Sequence, residues 1–119
     1  LEVRYLDMSA PRWWPAIAAV TATLMDDPVA ADLATEAVEP VATAWDTAAR
    51  VGLRDRRLYA AANTCVTVAA EQAPAELGDA MQRLVRSVEQ GRCPGDDFSD
   101  HVIEHGIAPS VARMAQGGP

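Results

Sequence analysis

Cysteine is scarce: the 119 residues contain two, Cys65 inside a helical pattern and Cys93 in Arg-Cys-Pro-Gly. Two thiols do not make a disulfide framework. Cys65 reads as a small buried side chain, and Cys93 as a loop thiol with no neighbouring His to activate it. Long apolar runs are lacking as well, which argues against a bilayer span, and no charged segment followed by an apolar one opens the chain as a secretory signal would. The expected compartment is therefore the cytosol. Basic residues are the minority, 10 Lys plus Arg against 17 Asp plus Glu, for a net charge of -7 and a pI near 4.6. Such a chain repels phosphate backbones, so nucleic acid and anionic membrane are not expected partners. There is no fixed-period repeat, no low-complexity linker and no second domain boundary. An initiator Met is missing too, and the chain opens at Leu1.

What is present is mostly helix-forming. Half the residues are hydrophobic and alanine is abundant, a composition suited to closely packed helices around one core. After Met8-Ser9-Ala10-Pro11, the stripes Trp13, Ile17, Val20, Leu24 and Trp14, Ala18, Thr21, Met25 give a first helix with a wide apolar face. Asp27-Pro28 caps and opens a second helix towards Val38, and Glu39-Pro40 repeats the device before a third helix carrying Val41, Trp45 and Ala48 up to Gly52. Asp55 opens a fourth with Leu58, Ala61, Cys65 and Val68 on one face. Leu77, Met81, Leu84 and Val88 define a fifth ending at Gly91. Asp96 or Asp97 starts a short sixth closed by Gly106, and Pro109 begins a last turn or two.

His101-Val102-Ile103-Glu104-His105 matches H-x-x-E-H, in which two His one turn apart face zinc and the Glu acts as base. Residues 106–119 contain no Asp, Glu, His or Cys to complete such a site, and Gly106 ends the helix at once. Two histidines on the solvent side of a terminal helix are the favoured account. Asp26-Asp27 and Asp96-Asp97 stand at expected helix starts, where carboxylates cap free N–H groups. Arg54, Arg56 and Arg57 form the one basic cluster, read as a solvated face. Trp45 reads as a core or interface anchor, whereas Trp13 and Trp14 are equally suited to lining a site.

The expected fold is mainly α: one N-terminal β-strand over residues 1–8, followed by a helical region over 9–119 with five to seven helices. Leu1, Val3 and Tyr5 alternate with Glu2 and Arg4, so one face of that strand is charged. A lone strand cannot satisfy its own backbone, so it is expected to join a sheet outside this chain, which then reads as the tail of a larger protein. Glu2 and Arg4 form either a cross-strand ion pair or a pair presented to ligands. Oxygen donors such as Glu suit magnesium, and the planar fork of Arg suits carboxylate and phosphoryl oxygens.

Leu-Glu-Val-Arg-Tyr-Leu-Asp, the Trp-Trp pair and the apolar helix ending Leu24-Met25-Asp26-Asp27-Pro28 resemble the C-terminal part of glutamate–cysteine ligases, especially the ergothioneine-pathway type. Glu36-Ala37-Val38-Glu39-Pro40, Trp45-Asp46-Thr47-Ala48-Ala49-Arg50 and Gly91-Arg92-Cys93-Pro94-Gly95-Asp96-Asp97 extend the likeness through most of the chain. The resemblance implies an α+β parent enzyme with an antiparallel active-site sheet of the glutamine synthetase-like kind. It implies ATP-dependent joining of L-glutamate to L-cysteine through γ-glutamyl phosphate, with ATP and magnesium as cofactors. Glu2 would bind the magnesium at the nucleotide phosphates. Arg4 would be the catalytic residue, holding the glutamate carboxylate or the transferring phosphoryl group, and Asp7, Trp13 and Trp14 would shape the substrate pocket. These 119 residues alone are expected to be inactive and to bind no cofactor tightly. The competing expectation is a stand-alone helical module for interaction or ligand binding.

Overall fold

The computed structural model describes residues 9–117. They form a helical body built from α1 (Trp14–Asp26), α2 (Pro28–Val38), α3 (Trp45–Val51), α4 (Arg56–Gln72), α5 (Gly78–Glu89), α6 (Asp96–His105) and α7 (Ile107–Ala115), with 3-10 turns at Pro11–Trp13, Glu39–Val41, Gly52–Arg54 and Ala75–Leu77. The expectation of a strand followed by helices is corrected here: every regular element among the described residues is helical, and no strand occurs among them. The segment 1–8, on which that strand was placed, lies outside the described residues.

Local chemistry accounts for the helix boundaries. Asp27 accepts a hydrogen bond from the Ala30 backbone N–H at 2.7 Å, and Pro28 occupies the first helical position of α2, where no N–H is needed. Asp55 opens α4 by accepting from the N–H groups of Arg57 at 2.9 Å and Leu58 at 3.2 Å. Those bonds, that to Leu58 foremost, outweigh the desolvation of Asp55 and hold its carboxyl below the usual 3.8. At Gly106 the backbone turns to φ 85°, a conformation open to glycine, and α6 gives way to α7.

The core lies between α1, α4 and α5, with Trp13, Ala16 and Ala19 meeting Val66, Ala69, Ala80, Met81, Leu84 and Val88. The α5 stripe Met81, Leu84, Val88 is buried as its spacing predicts. In α1 the buried positions are Ala16 and Ala19 together with Trp13 just before it. Ile17, Val20 and Leu24 pack beside that core, while Trp14 and Met25 of the second predicted stripe stand about half exposed. Alanine makes this rotation possible, since a helix face of Cβ atoms lets backbones approach closely. Ala30 and Ala34 bury the inner face of α2, which packs mainly on α4. Trp45 is 81% exposed and anchors nothing in the described core.

Candidate functional site

The strongest polar constellation joins the turn before α1 to α6. Past the end of α5 the backbone turns at Gly91 with φ 71°, after which the Arg92 N–H donates to the Ser87 carbonyl at 2.9 Å and the Ser87 hydroxyl donates to the Arg92 carbonyl at 3.3 Å. This double tie fixes the Arg92 backbone, and its guanidinium reaches Asp97 at 3.1 Å and Asp100 at 2.7 Å. The Arg12 guanidinium also donates to Asp97, closing a link between positions 85 residues apart. Asp97 thus holds two cations. Partial burial pushes its pKa up, but the hydrogen bonds from Arg92 and Arg12 prevail and keep it below 3.8. Arg12 in addition lies over the Trp13 ring, 5.4 Å from its centroid.

The acidic pair at the start of α6 departs from the capping role expected of it. Asp96 accepts the Cys93 N–H at 2.8 Å and closes the turn, Asp97 serves the arginines, and Gly95 stands at the N-cap without a side-chain bond. Cys93 is exposed, its Sγ 3.4 Å from the Asp96 carboxylate. Desolvation and that carboxylate raise its pKa, which disfavours the thiolate a nucleophile needs.

Beside the Asp97 node is a polar cleft of about 290 Å³ between Ala10–Arg12 and the α6–α7 hairpin, with His101, Glu104 and Arg113 among its walls. Ser110 is 1% exposed, and its hydroxyl donates to the Gly106 carbonyl at 2.6 Å. Its one proton is thereby used, so His101 Nδ1, 2.7 Å away, donates to the Ser110 oxygen and leaves Nε2 as the free acceptor of the neutral ring. A serine bonded in this sense is no nucleophile. Desolvation, then His105 and Arg113, hold the His101 pKa below 6.5 against the opposing pull of Glu104. The His101 and His105 rings lie 4.3 Å apart, and Glu104 is 3.6 Å from His105. Among the described residues no three His, Cys, Asp or Glu side chains converge to hold a metal.

The structure separates the tryptophans expected to shape a pocket. Trp13 is 7% exposed and packs in the core, and its indole N–H has no hydrogen-bond partner among the described residues. Trp14 points the other way at 46% exposure. Glu2, Arg4 and Asp7 lie outside the described residues. The Arg12–Asp97–Arg92 node was not foreseen from sequence, because ion pairing across such a separation leaves no periodic trace. Its one visible sign is Arg92 in the loop after α5, shortly before the two aspartates that open α6.

Residues 1–116 match glutamate-cysteine ligase family 2. The chain belongs to that family. Over 117 residues it is 62% identical to glutamate–cysteine ligase EgtA of Mycobacterium tuberculosis strains CDC 1551 / Oshkosh and ATCC 25618 / H37Rv, and 58% identical to the EgtA of Mycolicibacterium smegmatis strain ATCC 700084 / mc(2)155. Each match covers 98% of this chain and 27% or 28% of the relative, so the chain spans about a quarter of the glutamate–cysteine ligases it resembles. No solved structure matches it. The family match bears out the resemblance to glutamate–cysteine ligases read from the sequence. None of the helices described is long and apolar enough to cross a membrane.

Proposed function

We propose that this chain is the helical C-terminal part of an ATP-dependent glutamate–cysteine ligase that forms γ-glutamylcysteine for ergothioneine biosynthesis in the cytoplasm. The observation that carries the proposal is 62% identity to EgtA across 98% of the chain. The chemistry is assigned to Glu2 and Arg4, with Asp7 and Trp14 at the substrate. Trp13 was a candidate for that pocket as well. Its burial suits it better to holding the turn that precedes α1.

In this reading Arg4 binds the glutamate carboxylate or the phosphoryl group passing to it, since a guanidinium fork matches the oxygens of such anions. The γ-carboxylate oxygen attacks the terminal phosphorus of ATP and ADP departs. The cysteine amine then attacks the acyl carbon, loses a proton and expels phosphate, forming the amide. Glu2 offers the hard oxygen donor that magnesium accepts, and further ligands are assigned to the part of the ligase this chain does not span. Magnesium bound there would neutralise charge on the phosphates. Charge neutralisation and positioning dominate such transfers, so loss of a single Arg is costly.

The test uses the full-length enzyme with ATP, magnesium, L-glutamate and L-cysteine, following γ-glutamylcysteine by mass spectrometry. The expected result is product formation by the parent enzyme and a loss of about a hundredfold or more in Arg4→Ala with helicity unchanged. The 119-residue chain alone is expected to form none. No product from the full-length enzyme would refute the ligase reading, and normal kinetics in Arg4→Ala would refute the role of Arg4.

A further inference from the structure

Helix α1 has no side suited to water. From Trp14 to Met25 it carries no charged residue, and its polar ones are Thr21 and Thr23. The Thr21 hydroxyl donates back to the Ile17 carbonyl at 2.9 Å, so it serves the helix itself. One face, with Ala16 and Ala19, is buried in the core shared with α4 and α5. The opposite stripe, Trp14, Ala18, Ala22 and Met25, repeats at helical spacing and is exposed along its length. The other two helices of that core end differently at the surface. Outward positions of α4 include Thr64, Thr67 and Glu71, and those of α5 include Gln82, Arg83 and Arg86. A surface helix turns polar side chains outward, whereas one that is apolar all round is packed on both sides. By that rule α1 is a buried helix with one side still uncovered.

We infer that the Ala18, Ala22 and Met25 face of α1 is the surface on which the part of the ligase beyond this chain packs, so that α1 is sandwiched between the helical body and that part. The inference rests on the proposed function, which makes this chain one region of a larger ligase. The relatives give the scale of the occupant: this region is 27% or 28% of each, which leaves about three quarters of the same polypeptide to cover the face. A second copy fits less well. A helix of 13 residues is about 20 Å long and about 10 Å across, so one face offers on the order of 200 Å². A stable dimer needs about 800 Å² from each partner. A region joined through the backbone meets the face at high effective concentration and holds it with less area. The methyl groups of Ala18 and Ala22 let a helix or sheet of that region approach closely, and the flexible Met25 fills the gaps beside it. Trp14, at the end of the stripe, then faces the same region, as its place at the substrate requires.

The experiment labels introduced thiols in the folded full-length enzyme with N-ethylmaleimide and reads each site by peptide mass spectrometry, which needs no turnover. Ala18→Cys and Ala22→Cys probe the face, and Thr67→Cys and Gln82→Cys, on the outward sides of α4 and α5, are the controls. All four positions are exposed in this structure. The expected result is that both α1 thiols react at least about tenfold more slowly than either control, with the difference lost in urea. An α1 thiol that reacts as fast as a control would overturn the inference. A benzophenone amino acid in place of Met25 identifies the occupant, and serves also if a cysteine variant does not fold. Irradiation is expected to join it, within one polypeptide, to peptides outside these 119 residues. Cross-links confined to residues 1–8, to the helical body or to a second copy would overturn the inference, as would none at all. Synthesis of γ-glutamylcysteine by the unaltered enzyme is followed separately, and its absence beside a protected α1 would refute the ligase reading alone.

Discussion

Replacing Trp13 with alanine separates a core tryptophan from one that lines a pocket. At 7% exposure the indole keeps almost all of its surface from water. A buried aromatic of this size hides about 200 Å², and at about 25 cal/mol per Å² its removal costs about 5 kcal/mol before any relaxation. Two terms reduce that figure. The unfolded chain already hides part of the surface, and the indole N–H, unpartnered among the described residues, is a buried donor whose removal relieves about 1–3 kcal/mol. The expected net loss is about 2–4 kcal/mol, which moves a urea midpoint by about 1–2 M for a domain of this size. Trp14→Ala removes a ring that is already 46% exposed and should cost roughly half as much area. Trp13→Phe, which gives up volume but also the unpaired donor, should lie within about 1 kcal/mol of the parent. Urea unfolding followed at 222 nm gives all three values. A Trp13→Ala chain within about 0.5 kcal/mol of the parent, or a costlier Trp14→Ala, would refute this account of the core.

A nuclear magnetic resonance titration of His101 should give a midpoint below 6.5, and Arg113→Ala should raise it by removing a nearby positive charge. The folded chain favours the neutral ring, so this residue's contribution to stability is complete above pH 6.5 and declines as the pH falls below it, because the unfolded chain takes up the proton first. A midpoint above 6.5 would contradict the arrangement. Gly106→Ala should lower stability by about 1–2 kcal/mol in thermal melts, since a Cβ at φ 85° is strained even where space is open. An unchanged melting temperature would show that the α6–α7 turn readily adopts another conformation.

The legibility of this fold varied from helix to helix for a physical reason. In α5 the apolar residues Met81, Leu84 and Val88 are large and the positions between them, Val85 apart, are polar, so a 3.6-residue period stands out. Proline and aspartate at Asp27-Pro28 likewise marked the start of α2 through local chemistry alone. In α1 nearly every residue is apolar or small, and a pattern without polar contrast does not say which side faces inward. Trp14 was therefore grouped with a buried stripe that the structure turns outward. The Asp97 node was hidden for a different reason, because its meaning depends on Arg12 arriving from the far end of the sequence. Glu2 and Arg4 were singled out by alternation and by resemblance, and the structural description begins after them.

Ala16, Ala30 and Ala69 are fully buried, so single methyl groups fill these places where helices meet. A core of this kind inverts the usual pattern of mutational sensitivity. Truncation to glycine opens only a small void, whereas one added branch at these positions must wedge two helices apart. Over generations such sites would exchange among the smallest residues and refuse growth, so their history should be one of conserved volume more than conserved chemistry.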